Sequence, residues 1–545
     1  MGPSRSNPKM AQIPLDNPVP SPEMMSAWST HVGRPIRDAV SLREGLTAGP
    51  TLHAAFTATA RRFPRAKALT IGGITLTHRE IEEGSARIAA ILGAWGISAG
   101  TRITLVADSD MSVVTAYLGA LRVGAIVTFT HPSYTAPELA HVLSESGADV
   151  ALATGNSLVR LQEAGSDCRV IGLEESDRSS GTNLLFDKDP SVRPPEAADG
   201  DSIAILALTS GTTGEPKRVP LSHRNLLSSI RGVLWAWRWR ANDRLVHSLP
   251  IGHQHGLGAI HAALLTGSHA SILPGFDPFG LLAAVDEHEA SVLFAVPAIY
   301  ERLLAEAQEK IGSLSRLRLM TSGSAPLPSE LATRIEAATG QLPVERYGLT
   351  ETGLDVSNPH DGPRIPGTVG LALPGVELAV VGEDGVRLAP GETGEVLLRG
   401  PQVFNGYPGS DDRNESFIEG WFRTGDLGMI DEGTGHLRLM GRSKELIITG
   451  GMNVFPGEVE RALLAVPGVL DAAVIGVPSR SWGEAVTAFV VTAGVSADDV
   501  ASAISSRLAP FKRPKQVIQV GSIPRTEMGK LKADLLATSP QIKPT

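Results

Sequence analysis

The segment Leu208–Asn225, LTSGTTGEPKRVPLSHRN, crowds hydroxyls, glycines and one lysine directly after an apolar run. Glycine lets neighbouring backbone N–H groups point at one centre and lysine adds positive charge, a combination typical of an anion site. The spacing is not that of a Walker loop, because Gly214 is followed by Glu215 rather than by Lys and a hydroxyl residue. The stretch therefore predicts either a phosphate loop of another kind or a flexible surface turn.

The composition limits the classes of protein to which the chain can belong. A length of 545 residues exceeds what one core usually organises, so at least two domains are expected. With 42% hydrophobic and 20% charged residues and a net charge of −9, the chain is typical of a soluble globular protein, not of one that binds nucleic acid or a membrane. Cys168 is the only cysteine, which excludes an intramolecular disulfide and indicates the cytoplasm. No apolar run reaches the ~20 residues that cross a bilayer.

Outward from the opening stretch, short apolar runs alternate with helical patterns between residues 51 and about 340. Ile103–Ala107 is predicted as a buried strand, Ser112–Val123 as a helix and Ala125–Phe129 as the next strand. The cycle repeats at residues 202–208, 244–249, 270–274 and 291–296. Such alternation predicts parallel sheets covered by helices, with functional loops at the carboxyl ends of the strands.

The remaining sequence divides into three parts. Residues 1–25 are rich in Pro, Ser and Asn, and residues 1–50 are predicted to form a disordered or extended leader. From about 365 to 440 the sequence becomes β-rich with many turns, and residues 441–545 predict a small α+β domain. The predicted fold class is therefore α/β, with a large N-terminal domain over 51–440 that contains layered, parallel-rich sheets and a β-rich subdomain.

Five motifs in order carry a family resemblance. The opening stretch resembles the phosphate loop of the adenylate-forming superfamily, which contains acyl-CoA synthetases, nonribosomal adenylation domains and firefly-type luciferases. The other four are YGLTET at 347–352, WFRTGDL at 421–427, GRSKELIITGGMNVFPGEVE at 441–460 and PRTEMGK at 524–530. The resemblance implies that a carboxylate attacks the α-phosphorus of ATP with Mg²⁺ present, and that the acyl adenylate then passes to a thiol such as that of CoA.

The resemblance also implies roles for the nucleotide-binding residues. Glu351 would help to bind Mg²⁺, Thr350 would hydrogen-bond a phosphate, and Tyr347 would lie against adenine beside Gly348. Asp426 would accept the ribose hydroxyls. Arg442 would contact the ribose or phosphate region, and the phosphate loop would comprise Thr209, Ser210, Gly211, Thr212, Thr213, Gly214 and Lys217.

The last two motifs imply a moving C-terminal domain. By resemblance, Lys530 is the cation that bridges the carboxylate and the α-phosphate. Lys444 is the hinge about which the small domain rotates, so that Thr449, Gly450 and Gly451 lie beside the incoming thiol. We therefore expect the domain over 441–545 to be mobile.

The acid pocket is less well defined. By resemblance, His253 gates or lines it, and Ser324 and Ala325 lie along the acyl tunnel. The sequence around these residues is similar to malonyl-CoA and, secondarily, oxalyl-CoA synthetases, and Arg302 matches an arginine of the malonyl pattern that would pair a spare carboxylate. Gly275 stands where those enzymes often carry Arg or Lys, which argues against malonate.

Three functions compete at this point. The first is an AMP-forming acid–CoA ligase for a small carboxylic acid or diacid. The second keeps adenylation but uses a carrier-protein thiol, an amine, or nitrite with an arylamine. The third is an inactive binding protein, which the presence of Lys217, Glu351, Asp426 and Lys530 disfavours. A metal site at His253–His255 is also disfavoured, because no Cys or carboxylate stands nearby.

Overall fold

The computed structural model describes residues 51–173, 199–209, 217–408, 416–449, 452–479, 481–505, 507–526 and 531–542, with Lys444 described by its backbone alone. The predicted leader, most of the phosphate loop, Gly450, Gly451 and Lys530 therefore lie outside the described residues. No helix within these ranges is long and apolar enough to span a bilayer.

The strands up to residue 372 form two sheets. In chain order they are β1 (Lys67–Ile71), β2 (Ile74–Thr77), β3 (Arg102–Val106), β4 (Ile126–Thr130), β5 (Val150–Ala153), β6 (Arg169–Gly172), β7 (Ile203–Thr209), β8 (Lys217–Ser222), β9 (Arg244–His247), β10 (His269–Ile272), β11 (Val292–Ala295), β12 (Leu319–Ser322), β13 (Val344–Tyr347), β14 (Val356–Ser357) and β15 (Leu371–Ala372).

Helices separate most of these strands. They are α1 (Leu52–Arg62), α2 (His78–Ala94), α3 (Met111–Arg122), α4 (Ala136–Ser146), α5 (Gly155–Glu163), α6 (His223–Ala236), α7 (Gln254–Thr266), α8 (Pro278–Glu287), α9 (Pro297–Glu306) and α10 (Ser329–Thr339), with a 3₁₀ helix at Ile311–Arg316. Local sequence explains where several of them begin. Thr77 with Glu80 and Ser222 with Asn225 form capping boxes at the starts of α2 and α6, which satisfy backbone donors that a helix start leaves unpaired.

Both sheets are rich in parallel pairs. Within the described residues the first has the order β6-β5-β3-β4-β7-β8, and only β7 and β8 pair antiparallel. The second has the order β15-β14-β13-β12-β11-β9-β10-β1-β2, and its central pairs from β13 to β1 are parallel. Helices cover these sheets, and one hydrophobic core runs from Leu52 to Leu437.

A third sheet is antiparallel and follows in sequence. It contains β16 (Glu377–Val381), β17 (Thr393–Arg399), β18 (Phe417–Ile418), β19 (Trp421–Ile430) and β20 (Leu437–Arg442). Consecutive residues of β16 and β17 are buried in two clusters, with Val380, Val396 and Leu398 in the main core and Ala379, Val381 and Leu397 in a small cluster on the other face. The predicted β-rich subdomain is present, and its last strand extends to Arg442.

The C-terminal part has its own sheet and its own core. A 3₁₀ turn at Ser443–Glu445 leads into β21 (Ile447–Thr449), β22 (Met452–Val454), α11 (Pro456–Leu464), β23 (Val469–Ser479), β24 (Gly483–Thr492), α12 (Ala497–Ser505), β25 (Gln516–Gln519) and α13 (Ala533–Ala537). Alternate residues of β23 enter two separate cores, Val474 facing α11 and α12 and Ile475 facing α13. The predicted fold class is confirmed; the predicted domain boundaries and the mobility stay predictions.

Candidate active site

The candidate site lies at the carboxyl ends of neighbouring parallel strands. Strands β9, β11, β12 and β13 are adjacent in the second sheet, so the segments that follow them meet at one edge. His253 follows β9, Ser324 and Ala325 follow β12, and Gly348–Glu351 follow β13. Residues far apart in sequence therefore converge because their strands are neighbours.

One group at this edge consists of Tyr347, Asp426 and Arg442. The Tyr347 hydroxyl donates to Asp426 Oδ2 at 2.6 Å, and Arg442 Nε lies 3.2 Å from Asp426 Oδ1. Asp426 and Arg442 are paired across β19 and β20, which holds both side chains at one rung of the sheet. Burial and the Asp426 carboxylate raise the pKa of Tyr347 well above its usual value, so the phenol stays protonated as a donor.

The turn after Tyr347 is tightly held. A Cβ on Gly348 would lie 2.0 Å from the carbonyl oxygen of Gly353, so this close approach requires glycine. Behind the turn, Asp355 accepts hydrogen bonds from Thr352 Oγ1 and, at 3.1 Å, from Gln402 Nε2. Burial raises the pKa of Asp355 to about 7 despite these donors. The turn thus rests on a fully buried carboxyl group.

A chain of contacts connects Glu351 to Lys217. The Tyr407 hydroxyl donates to Glu351 Oε1 at 2.8 Å, and Lys217 Nζ lies 4.5 Å from the centroid of the Tyr407 ring. Oε2 of Glu351 has no hydrogen-bond partner among the residues that the structure describes. An ammonium and a carboxylate are thereby presented at one place, separated by an aromatic ring.

The structure describes the two residues that flank the predicted phosphate loop. Thr209 ends β7 and pairs with Lys217, the first residue of β8, so the seven residues between them connect two antiparallel strands. Ser210, Gly211, Thr212, Thr213 and Gly214 lie outside the described residues, and their predicted contacts stay predictions. Arg218, the next residue along β8, is exposed, whereas Lys217 is half-buried.

A second polar group, which we call the acid-side cluster, consists of His255, Ser324 and Arg346. The Nε and Nη2 atoms of Arg346 and Nε2 of His255 are buried without a hydrogen-bond partner among the described residues. Burial lowers the pKa of Arg346 to about 9 and, with Arg346 nearby, lowers that of His255 well below its usual value. Ser324 has a φ of 67°, and its hydroxyl lies 3.4 Å from His255 Nδ1.

Two other predicted pocket residues, His253 and Ala325, lie on the same edge of the sheet, whereas the third, Arg302, does not. His253 is the exposed N-cap residue of α7, and Ala325 is half-buried beside Ser324. Arg302 lies on the exposed face of α9, where it pairs with Glu306 at 2.7 Å. It also lies 4.8 Å from the ring of Phe276. This differs from the enclosed position expected for Arg302, because its helical spacing places it beside Glu306 in water. A role for Arg302 in binding the acid stays a prediction.

The predicted catalytic and hinge residues of the C-terminal part fall on or beside undescribed segments. Lys530 lies in segment 527–530, and an antiparallel bridge joins Arg525 to Leu531 on either side of it. Arg525 Nη2 donates to Asp471 Oδ1 at 2.8 Å, which anchors the near end of this segment to β23. Gly450 and Gly451 lie between Thr449 and Met452, which pair with each other. The roles of Lys530 and Lys444 stay predictions.

Sequence inspection missed three residues of the site. Tyr407 and Gln254 stand in no predicted role, although Gln254 lies inside the HQH stretch, and Arg346 immediately precedes the YGLTET motif. The only local signal for Arg346 was a charged residue on a short strand that ends at the motif, β13, whose four residues are Val, Glu, Arg and Tyr. Whether such an arginine finds an acidic partner depends on the neighbouring strands, which local sequence does not specify.

The arrangement fits a magnesium nucleotide. Glu351 and Lys217 offer one carboxylate oxygen and one cation, which suits Mg²⁺ held partly by phosphates rather than by a protein cage. Among the described residues, no three His, Cys, Asp or Glu side chains lie close enough to hold a metal ion. Asp426 can accept hydrogen bonds from a diol, with Tyr347 closing the pocket beside it.

Comparison with known proteins agrees with this geometry. Residues 56–408 match the model of the AMP-binding enzyme family, and residues 458–530 match that of the AMP-binding enzyme C-terminal domain. A feruloyl-CoA synthase of Amycolatopsis sp is 32% identical over 87% of this chain and 95% of its own length. The mitochondrial malonate–CoA ligase ACSF3 of Mus musculus is 32% identical over 84% of this chain and 86% of its own.

The solved structures lead to the same family. The crystal structure of ATP-bound MatB from Rhodopseudomonas palustris is 35% identical and superimposes with a TM-score of 0.83, covering 89% of this chain and 98% of that one. The match includes the large N-terminal part and the smaller C-terminal part. The chain therefore belongs to the AMP-binding enzyme family.

Proposed function

We propose that this protein is an ATP-dependent acid–CoA ligase that activates a small carboxylic acid carrying a second anionic group. Family membership and the nucleotide-side geometry support the reaction class. The substrate class rests on one observation: Arg346 is half-buried, and its Nε and Nη2 atoms are buried without a hydrogen-bond partner among the described residues. Burying the donor atoms of a cation without an acceptor is costly, and a ligand carboxylate would supply the missing acceptor.

The proposed reaction has two steps. A carboxylate oxygen of the acid bonds to the α-phosphorus of ATP, the bond from that phosphorus to the oxygen bridging the β-phosphorus breaks, and pyrophosphate leaves. The sulfur of CoA then bonds to the acyl carbon, AMP leaves with the electron pair, and the thiol proton passes to solvent. Both anions of the first step repel each other, so cations must screen them.

On the nucleotide side, Asp426 would accept the ribose hydroxyls while Tyr347 lies against adenine. Lys217 and the loop before it would hold the β- and γ-phosphates. Glu351 would hold Mg²⁺, which supplies charge neutralisation for the departing pyrophosphate. We assign to Lys530 the remaining task of bridging the attacking carboxylate and the α-phosphate.

On the acid side, Arg346 would pair with the second anionic group, and the neutral His255 and Ser324 would supply further hydrogen bonds. Arg346 and Tyr347 are consecutive on β13, so their side chains leave opposite faces of the strand. The spare carboxylate and the adenine would therefore lie on different sides of β13. A short acid that places its reacting carboxylate between them is the expected substrate.

We also propose that the part after Lys444 rotates between the two steps, which withdraws Lys530 and brings Thr449–Gly451 to the thiol. An acyl adenylate is destroyed by water, so a site that closes for its formation must reopen for the acceptor. We place the enzyme in the cytoplasm, because its only cysteine is Cys168.

The test is pyrophosphate release from ATP with dicarboxylates of two to five carbons, each beside a monocarboxylate of equal length, with and without CoA. We expect release with one or more dicarboxylates, AMP as the nucleotide product, and a thioester only when CoA is present. Equal turnover of the matched monocarboxylates would contradict the substrate class. Turnover without CoA but with an amine, with nitrite plus an arylamine, or with a carrier protein would show that CoA is not the acceptor. No AMP formation with any acid would contradict the ligase.

A further inference from the structure

One hydrogen bond joins the acid side of the cleft to the nucleotide side. Nε2 of Gln254 donates to the carbonyl oxygen of Thr350 at 2.7 Å, across 96 residues of sequence. Gln254 is the first residue of α7 and is half-buried, so its amide lies at the helix start that faces the site. No described side chain other than Gln254 donates to this carbonyl.

The position of Gln254 is rigid on its own side. Gly256, two residues further on, packs so closely that an added Cβ would lie 2.2 Å from the carbonyl oxygen of Pro250. His255, the next residue, packs 5.3 Å from the ring of Phe294 and belongs to the acid-side cluster. The first turn of α7 is thus fixed against the sheet, and Gln254 projects from a fixed point.

The position of Thr350 controls two predicted ligand contacts. The carbonyl of Thr350 and the N–H of Glu351 share one planar peptide unit, so a partner that holds the oxygen sets the orientation of the whole unit. Other bonds hold the turn on either side, from Phe404 N to Glu351 O at 2.9 Å and from Gly353 N to Leu349 O at 2.7 Å. The Thr350–Glu351 peptide between them depends on Gln254.

We propose that Gln254 is a positioning residue, which holds the Thr350–Glu351 peptide from the acid-side helix so that the Thr350 hydroxyl and the Glu351 carboxylate meet magnesium ATP. This inference rests on the proposed function for the identity of the ligand. Gln254 has no contact with the nucleotide in this role. It acts by restricting one peptide plane, and it ties that plane to the helix that carries His255.

The test replaces Gln254 with Met, which keeps the length of the side chain and removes the donor. Binding of magnesium ATP is measured by titration calorimetry, which needs no turnover. Loss of one such hydrogen bond is expected to weaken binding by about 3- to 10-fold and to raise KM for ATP by a similar factor, with KM for the acid unchanged.

A matched control is Gln341→Met. Gln341 Nε2 also donates to a backbone carbonyl at 2.7 Å, that of Leu317, but at the amino end of β13, away from the site. This control should lower thermal stability at least as much as Gln254→Met, while its affinity for magnesium ATP matches that of the wild type. Equal ATP affinities in all three proteins would overturn the proposal.

Gln254→Glu provides a readout that a merely structural role would not move. An ionised carboxylate repels the Thr350 carbonyl, whereas a protonated one can donate to it. The defect in KM for ATP should therefore be largest at pH 8 and shrink toward pH 5.5, relative to wild type at each pH. A pH-independent defect would overturn the positioning role, whereas a wild-type protein that fails to bind magnesium ATP would overturn the proposed function as well.

Discussion

The two sides of the cleft differ in how their polar side chains are satisfied. On the nucleotide side, Asp426 is hydrogen-bonded to Tyr347 and paired with Arg442 within the protein itself. On the acid side, atoms of Arg346 and His255 are buried without a partner among the described residues. A paired group is preorganised and recognises shape, whereas an unpaired buried group is completed only by its ligand. The comparison predicts that substitutions on the two sides will change stability in opposite directions.

The largest effect on rate is expected from Lys530, a cation that belongs to neither the acid side nor the nucleotide side of the cleft. Lys530→Ala should slow adenylation by about 10²–10³, because it removes a donor aimed at charge that develops in the transition state. The second step should be spared when acyl adenylate is supplied directly. The two steps are measured separately, by pyrophosphate release and by thioester formation. Equal loss in both would contradict the assigned role.

Substitution of Arg346 on the acid side is expected to have the next largest effect on catalysis. Arg346→Met should lower kcat/KM for the dicarboxylate by about 10- to 100-fold, the range for a lost hydrogen bond to a charged group. The matched monocarboxylate should be unaffected, and the Tm should stay level or rise, because an unpaired buried cation is removed. Steady-state kinetics with both acids and a thermal melt check this. A fall in Tm with equal loss for both acids would mean that Arg346 is structural.

A substitution on the nucleotide side should weaken ATP binding rather than acid binding, and it should lower the Tm. Asp426→Asn is expected to raise KM for ATP by about tenfold and to lower the Tm, because Tyr347 and Arg442 lose a charged partner. KM for the acid should stay constant. The ratio of KM for 2′-deoxy-ATP to KM for ATP should fall, because an amide in place of the Asp426 carboxylate would hold the two ribose hydroxyls less firmly. An unchanged preference would remove Asp426 from the ribose site.

The proposed hinge at Lys444 should affect thioester formation more than adenylation. Lys444→Pro restricts the backbone at the start of the C-terminal part and should slow thioester formation several-fold more than adenylation. Single-turnover measurements of each step decide the order. Adenylation slowed more than thioester formation would place the hinge elsewhere.

The smallest expected effect is a pH dependence of the acid side. Burial lowers the pKa of Arg346 to about 9, so we expect the guanidinium of the acid-free enzyme to lose its proton as the pH rises through 9. KM for the dicarboxylate should therefore rise a few-fold between pH 8 and pH 10, relative to the monocarboxylate. The destabilisation from this buried charge is full below pH 9 and is relieved above it, so stability and acid binding should move in opposite directions. Parallel profiles for both acids would contradict the pairing.

Much of the fold follows from local pattern. The predicted helix at 112–123 and the predicted strands at 103–107 and 125–129 differ from α3, β3 and β4 by one residue at each end. Alternating strands and helices also predict that the catalytic loops follow strand ends, and the fold class is confirmed. Such features depend on residues close in sequence, whose spacing sets which faces are apolar.

The site could be predicted only in part. Tyr347, Asp426 and Arg442 were predicted as nucleotide residues from motifs, and the structure brings these three together. Arg302 was expected in an enclosed pocket, yet it lies in water beside Glu306. Tyr407 was missed because its role exists only through Glu351 and Lys217, which stand 56 residues and more from it in sequence.

The sequence alone determined the family, the order of the motifs and the reaction class, because these depend on residue types at short, fixed spacings. Which polar groups meet depends on the tertiary structure: Tyr347 meets Asp426 across 79 residues and Gln254 meets Thr350 across 96, whereas two guanidinium atoms of Arg346 have no hydrogen-bond partner among the described residues. The physical reason is that pairing and burial depend on which strands lie side by side. That order is set by the packing of the whole sheet, not by local sequence.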